Sequence, residues 1–195
     1  MLSDSEIDAL AAERDRLTLN SRQRTVYGKA DYSRKGICGE IALFEFFHVD
    51  RKPRNNPDGR GDGGVDLEVA LLDRNDKWQM MTVDVKTASI PKELWVEEGK
   101  ANADVYVLAR YDDETRRATC YRWQWGNVVR AAPVKRDGKL HHWIPAGECL
   151  PMAALADRYA PLIHYCRCGA WGSFGIGVSL RRGEMGQWFC SKHRP

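Results

Sequence analysis

The amino-acid sequence predicts an α/β (α+β) protein with a small C-terminal module. Three observations support this prediction. Apolar residues recur with helical spacing near the N-terminus, they alternate with polar residues afterwards, and three cysteines cluster with a histidine at the end of the chain. At 195 residues the chain is long enough for one domain and an appendage, which we place at residues 1–158 and 159–195.

The first element is a helix predicted for residues 2–18. Ser3 and Glu6 have the spacing of a capping box, in which each side chain satisfies a backbone N–H group of the first turn. Leu2 and Ile7 have the spacing of the hydrophobic contact that often accompanies such a box. These two signals together predict where the helix begins.

A second helix is predicted from Gly36 to about His48, because its apolar residues fall on one broad arc at helical spacing. Glu40 lies inside that arc. Burying a lone carboxylate is costly, so Glu40 is expected either to pair with another charge or to be linked to a metal ion. The alternative is that Glu40 lies at the edge of the apolar stripe and reaches solvent.

Strands follow a loop that is rich in turn-forming residues at 50–64. Residues 65–71 and 81–86 alternate apolar with polar side chains, and the turn-like segment 73–77 joins them, which predicts a hairpin-like pair. A third, buried strand is predicted at 103–110. The remaining predictions are a helical or irregular segment at 90–101, a strand at 118–123, a short helix at 125–132, a strand at 142–145 and a closing helix at 150–158.

Two aspartates and a lysine lie in or at the start of the first two predicted strands. Asp66 opens the first strand, and Asp84 and Lys86 point to one face of the second because they are two residues apart. Carboxylate oxygens are the ligands that Mg²⁺ prefers, and the metal lowers the pKa of a bound water. A lysine beside the metal can orient that water or neutralise developing charge. Phosphodiester hydrolysis requires these groups, although each residue alone could be an ordinary exposed side chain.

Three short motifs resemble the PD-(D/E)xK nuclease superfamily, which has the restriction-endonuclease-like fold. They are Gly39-Glu40 in the second helix, Gly64-Val65-Asp66 at a strand start, and Asp84-Val85-Lys86 in the next strand. The pattern is most similar to the Holliday junction resolvase and phage-type nuclease branch. The resemblance covers roughly residues 30–125 and implies an αβββαβ core with a mixed central sheet flanked by helices. Residues 1–158 are therefore expected to form a nuclease-like domain.

The resemblance also implies roles for individual residues. Asp66 and Asp84 are expected to bind Mg²⁺ or Mn²⁺, Glu40 to support the metal, often through water, and Lys86 to serve catalysis. Val85 is expected to lend a backbone carbonyl. Three acidic residues remain alternatives to Asp66 as the metal ligand, namely Asp58, Asp62 and Glu68.

The C-terminal module contains two short ligand pairs, Cys166-x-Cys168 and Cys190-x-x-His193, on either side of a glycine-rich loop. Two such pairs supply the four ligands of tetrahedral Zn²⁺. The loop cannot build a core of its own, so a structural metal is expected to stabilise it. His164 is a candidate substitute ligand. Three free cysteines and a surface histidine are the alternative, and the module resembles small zinc fingers or ribbons that bind nucleic acid.

Together these patterns predict a metal-dependent DNA endonuclease, selective for a structure such as a junction, flap or nick. The alternative is a catalytically silent DNA-binding or adaptor protein. The net charge is +3, and residues 159–195 carry five basic side chains against Glu184 alone, which suits DNA phosphates. A junction resolvase would be a symmetric homodimer. The sequence contains neither a secretory signal nor an apolar run of about 18–20 residues, so we expect a cytoplasmic protein without membrane contact.

Overall fold

The fold is described from a computed structural model of the chain. The residues that it describes are 2–20, 29–55, 64–159, 166, 168, 172–179 and 184–195. They form two compact units, which are treated separately below. The first contains residues Met1–Leu67 and Thr82–Met152, and the second contains Glu68–Met81 and Ala153–Pro195. The predicted boundary between residues 158 and 159 stays a prediction.

Two helices cover one side of the first unit: α1 at Asp4–Asn20 and α2 at Lys29–Phe46. The capping box forms, since the Ser3 backbone N–H donates to Glu6 Oε2 at 2.7 Å and the Glu6 N–H donates to Ser3 Oγ at 3.4 Å. Leu2 and Ile7 are both buried as expected.

The second helix begins earlier than the sequence predicted, at Lys29 rather than Gly36. A tertiary contact accounts for part of the difference. Arg34, in the unpredicted turn, is buried and forms ion pairs with Asp4 and Asp8 of α1. These pairs fix the first turns of α2, although the segment lacks a helical apolar period.

The largest sheet consists of β1 Leu67–Leu72, β2 Trp78–Ala88, β4 Val105–Asp112, β5 Arg117–Trp125 and β8 Leu150–Pro151. Its strands follow the order β1-β2-β4-β5-β8. β2 runs parallel to β4, β4 runs antiparallel to β5, and β5 runs antiparallel to the short β8. The mixed central sheet is therefore confirmed.

A second sheet of the first unit has the order β3-β7-β6, and all of its pairs are antiparallel. Its strands are β3 Glu93–Glu97, β6 Val134–Asp137 and β7 Lys139–Pro145. The expectation of a helical or irregular segment at 90–101 is thus wrong for β3, and a short 3-10 helix follows at Glu98–Lys100. Leu94 and Val96 alternate with half-buried residues and fill a core cluster, which is the pattern of a strand.

The segment that connects β2 to β4 differs from the expected αβββαβ order. β2 and β4 are parallel, so a crossover must join them. That crossover consists of β3 and the 3-10 helix, whereas the expected order places an α-helix there. The short helix predicted at 125–132 is present as α3, Gly126–Ala131. The restriction-endonuclease-like core remains a proposal, while the mixed sheet with helices is a finding.

The second unit contains the hairpin arms at Glu68–Met81 and the C-terminal segment. The turn of the hairpin is closed by the Asp73 N–H, which donates to the Lys77 carbonyl at 2.8 Å. The closing helix is short, α4 at Met152–Ala156. Two further strands, β9 at Phe174–Ser179 and β10 at Glu184–Phe189, form an antiparallel pair.

Candidate active site and candidate metal centre

Three of the side chains proposed for catalysis meet at the middle of β2. Lys86 Nζ lies 2.5 Å from Asp84 Oδ2. The Asp84 side chain is only 4% exposed, whereas that of Lys86 is 35% exposed and can reach solvent. Asp66 joins them from the preceding strand start, where its Oδ2 accepts a hydrogen bond from the Val85 N–H at 2.8 Å. Two carboxylates and one ammonium group therefore converge on one short stretch of backbone.

Backbone hydrogen bonds and one glycine hold Asp66 in this place. The Asp66 N–H donates to the Val83 carbonyl at 2.9 Å, which fixes it beside β2. Gly64 precedes it with a φ of +82°, a conformation that favours glycine. A Cβ atom there would lie 2.7 Å from the Lys100 carbonyl oxygen. Gly64 is therefore required for the chain to enter the strand at this point.

The register of β2 and β4 places a tyrosine beside the same group. Tyr106 pairs with Asp84 across the parallel ladder and is fully buried. Its hydroxyl accepts a hydrogen bond from the Ala103 N–H at 3.1 Å. Burial raises the pKa of Tyr106, and the nearby Asp84 charge raises it further. Tyr106 is thus a neutral, buried residue next to Asp84 in the sheet.

The charge of Lys86 is set by opposing effects. Burial lowers the pKa of Lys86, but the ion pair with Asp84 and the charge of Asp66 outweigh burial. The pKa of Lys86 is therefore raised above its ordinary value. Lys86 is protonated at neutral pH and is a cation that pairs with Asp84 and interacts with the charge of Asp66.

Glu40 is held by a partner that the sequence did not indicate. Arg14 of α1 donates from Nη1 to Glu40 Oε1 at 2.7 Å and from Nη2 to Glu40 Oε2 at 3.4 Å. The side chains of Arg14 and Glu40 are 25% and 12% exposed. Of the two expectations for Glu40, charge pairing is thus the one seen. No local pattern marks Arg14, because it lies on another helix.

The neighbour of Glu40 shows how closely α2 approaches β2. A Cβ atom on Gly39 would lie 1.9 Å from Thr87 Oγ1, so only glycine permits this contact. Thr87 and Lys86 are adjacent in β2 and point to opposite faces. Gly39, and with it α2, therefore packs on the face of the strand opposite Lys86. Glu40 stays a predicted supporting residue, although its helix packs on the face of β2 opposite Asp84 and Lys86.

The remaining predicted residues are placed as follows. Val85 contributes its N–H to Asp66, as described above. Glu68 is exposed near the start of β1. Asp58 and Asp62 lie outside the described residues. Asp66 and Asp84 offer carboxylate oxygens, which are the ligands that a hard cation such as Mg²⁺ prefers.

The predicted zinc ligands of the second unit converge. Cys166, Cys168, Cys190 and His193 each offer one ligand atom, and these atoms all lie within 4.8 Å of one another. The measured separations are 3.7 Å for Cys168 Sγ to Cys190 Sγ, 3.6 Å for Cys166 Sγ to His193 Nδ1, and 3.3 Å for Cys190 Sγ to His193 Nδ1. The four side chains could therefore hold a zinc-like ion.

These separations can be compared with the edges of a tetrahedral zinc site. Zn–S and Zn–N bonds of about 2.3 and 2.0 Å imply S–S and S–N edges of roughly 3.8 and 3.5 Å. The measured values agree with both. Backbone N–H groups of Cys168 and Cys190 lower the pKa of Cys166 to about 6, which favours the thiolate that binds metal. His164, the candidate substitute, lies outside the described residues.

The strand pair β9–β10 lies between the two ligand pairs and explains their meeting. Phe174 pairs with Phe189, so the beginning of β9 and the end of β10 are side by side. Cys190 follows directly after β10, and the His193 N–H donates to the Cys190 carbonyl at 3.1 Å in a tight turn. The hairpin thus brings the chain back to the point where Cys166 and Cys168 precede it.

Among the described residues, no helix combines the length and apolar character needed to cross a membrane. Comparisons with protein-family models, with curated proteins and with solved structures found no match for this chain.

Proposed function

We propose that this chain is a metal-dependent DNA endonuclease that hydrolyses phosphodiester bonds, in the manner of PD-(D/E)xK nucleases. The observation that carries the proposal is the convergence of Asp66, Asp84 and Lys86 around β2. Two carboxylates and a protonated lysine are the groups that phosphodiester hydrolysis requires, and the three residues come from two different strand segments. Selectivity for a junction, a flap or a nick belongs to the same proposal.

The geometry suggests a role for each residue. Asp66 and Asp84 would hold Mg²⁺ or Mn²⁺, which supplies Lewis-acid stabilisation and an activated water when bound. Lys86 is half-exposed beside them, so its ammonium group can donate hydrogen bonds to a phosphate oxygen or to the attacking water. Tyr106 is buried next to Asp84 in the neighbouring strand and would help to hold that carboxylate in place. Support of the metal by Glu40, through water, is the least supported of these roles, because Glu40 pairs with Arg14 on a helix that packs on the opposite face of β2.

The proposal is tested by cleavage of labelled DNA with the purified protein. Duplex, single-strand, flap and four-way-junction substrates are incubated with Mg²⁺, Mn²⁺ or EDTA. We expect metal-dependent cutting, and a loss of at least about 100-fold in Asp84→Asn and in Lys86→Ala, because each removes a group that acts on the transition state. Lys92→Ala is the matched control, since Lys92 is an exposed lysine that follows the same strand.

Two results would count against this function. One is cutting that persists at full rate in Asp84→Asn, because another residue would then bind the metal. The other is the absence of cutting on every substrate with each metal. Circular dichroism of each variant separates a lost site from a lost fold.

A catalytically silent DNA-binding or adaptor protein is the second candidate. The observation that favours it is the Arg14–Glu40 pair, which already compensates the charge of the helical carboxylate. In the cleavage assay, this candidate is supported by DNA binding without cutting and without any effect of Asp84→Asn.

We propose that the Cys166, Cys168, Cys190 and His193 group binds Zn²⁺ in a structural role. All four positions of a tetrahedral ion would be filled by protein atoms, which leaves none for a substrate or a water. Metal analysis of the purified protein tests this proposal, and an ion held with a stoichiometry of one per chain is the expected result.

A further inference from the structure

An exposed arginine lies beside the candidate carboxylate site. Arg51 follows α2 and donates from Nη1 to the backbone carbonyl of Asp66 at 3.2 Å. Its guanidinium carbon also lies 5.5 Å from the centre of the Phe44 ring, which is a cation–π distance. Phe44 is one helical turn after Glu40 on α2. Two contacts thus hold the Arg51 side chain at Asp66.

The charge of Arg51 is not matched by an acidic side chain within the described residues. Its neighbour Lys52 lies 3.7 Å from Glu6, so that cation has a carboxylate near it. Arg51 instead contacts a neutral carbonyl and a neutral ring. A guanidinium group has five N–H donors, and a carbonyl contact uses one of them. A fixed, solvent-exposed cation with spare donors is suited to an anion.

The charges around Arg51 indicate which kind of anion it would bind. Asp66 and Asp84 would exclude a free carboxylate ligand by repulsion unless cations offset them. The Lys86 ammonium group in β2 attracts the Asp66 carboxylate electrostatically. Arg51, which follows α2, donates a hydrogen bond to the Asp66 backbone carbonyl. Lys86 and Arg51 therefore both place positive charge near Asp66. A phosphate on a polymer fits best, because arginine binds phosphate oxygens in pairs and a chain of phosphates spans neighbouring cations.

We infer that Arg51 binds a backbone phosphate of a nucleic-acid strand next to Asp66. This inference rests on the proposed nuclease function and names the group that would hold the substrate strand at the site. Arg51 is a binding residue here, and the chemistry stays with Asp66, Asp84 and Lys86. The contact is made to the phosphate backbone, so it carries no sequence preference.

The test measures DNA binding in buffer without added Mg²⁺ or Mn²⁺ and without a chelator, so that cleavage is not supported while a structural zinc ion stays bound. Fluorescence anisotropy of labelled duplex and single-strand DNA is recorded at several salt concentrations for wild type, Arg51→Gln, Arg51→Lys and Arg54→Gln. Each phosphate contact contributes about 0.9 to the log–log salt slope on duplex DNA and about 0.7 on single strands. We expect Arg51→Gln to reduce the slope by about that amount on every sequence and to weaken binding several-fold at low salt.

The two other variants are matched controls. Arg54 is an exposed arginine three positions away whose backbone carbonyl, not its side chain, meets Arg14, so Arg54→Gln should retain the wild-type slope. Arg51→Lys keeps the charge and should restore most of the slope, although it loses paired contacts with the phosphate. Thermal unfolding of all variants shows whether the fold is retained.

The outcomes separate this inference from the proposed function. A wild-type protein that binds DNA, together with an unchanged slope in Arg51→Gln, overturns the role of Arg51 and leaves the nuclease proposal in place. A reduced slope in a protein that never cuts supports Arg51 and contradicts the nuclease. An equal loss of slope in Arg51→Gln and Arg54→Gln overturns the assignment to one position. Absence of nucleic-acid binding by the wild type overturns both proposals.

Discussion

The two candidate sites of this chain differ in donor chemistry and in how they are built. The site at β2 consists of oxygen donors on a sheet, and Lys86, the Val85 N–H and Arg51 already contact its acidic residues. The Cys166, Cys168, Cys190 and His193 group consists of sulfur and nitrogen donors that contact mainly one another. The first site has the pattern of a reactive centre whose charges are balanced by protein groups. The second has the pattern of a centre that a metal ion must complete.

The difference lies in what each site needs for stability. The sheet around Asp84 has a large apolar core, including fully buried Val83 and Val105. We therefore expect this site to keep its shape without a metal ion. The β9–β10 pair is short and glycine-containing, so its apolar burial is small. We expect metal removal to affect the first site in activity alone and the second site in folding.

The largest effect is expected from Cys190→Ser in the second unit. It removes a thiolate from a site whose metal-binding free energy is typically about 10–16 kcal/mol. We expect the metal content to fall from one ion per chain to none and the β9–β10 amides to lose hydrogen-exchange protection. Mass spectrometry of the native protein and hydrogen exchange measure the two effects.

Cys120→Ser is the matched control for this variant, because Cys120 lies outside the metal cluster. It should retain the metal ion. A Cys190→Ser protein that still binds one zinc ion would falsify the ligand set.

A smaller effect is expected from Gly39→Ala in the first unit. The new Cβ would lie 1.9 Å from Thr87 Oγ1, so α2 must move away from β2. We expect the free energy of unfolding to fall by about 2 kcal/mol in urea titrations. Gly36→Ala is the control in the same helix, because its Cβ would lie 3.6 Å from the nearest atom and alanine favours helix.

A second variant locates the cause of that destabilisation. Combining Gly39→Ala with Thr87→Ala removes the clashing hydroxyl, so the double variant should recover part of the lost stability. If the two substitutions prove additive, the contact between Gly39 and Thr87 does not fix the position of α2.

The smallest effect is expected from the Arg14–Glu40 pair. A double-mutant cycle with Arg14→Gln and Glu40→Gln should give a coupling of about 1 kcal/mol in the free energy of unfolding, because the pair is partly exposed. Binding of Mn²⁺ is measured on the same proteins. A Glu40→Gln protein that loses stability but binds Mn²⁺ like wild type would remove Glu40 from the metal site and leave it as a structural partner of α1.

The sequence alone determined the parts of the molecule that depend on local pattern. The capping box of Ser3 and Glu6 could be read from spacing, since its hydrogen bonds join residues of one turn. The alternation around Asp84 predicted a strand and placed Asp84 and Lys86 on one face, because side chains alternate along any strand. The Cys190-x-x-His193 spacing likewise predicted a metal-ligand pair, because a short segment already brings such residues together.

Only the tertiary structure decided the rest. The pair of Arg14 and Glu40, the contact of Arg51 with Asp66, and the parallel pairing of β2 with β4 all join distant positions in the chain. Their formation depends on how α1, α2 and the strands pack together. Periodicity in a sequence reports only the environment of its own segment. The packing of the helices and strands therefore sets the pairing of cations with carboxylates. At the candidate site, the pairing determines whether a carboxylate stabilises the fold or takes part in chemistry.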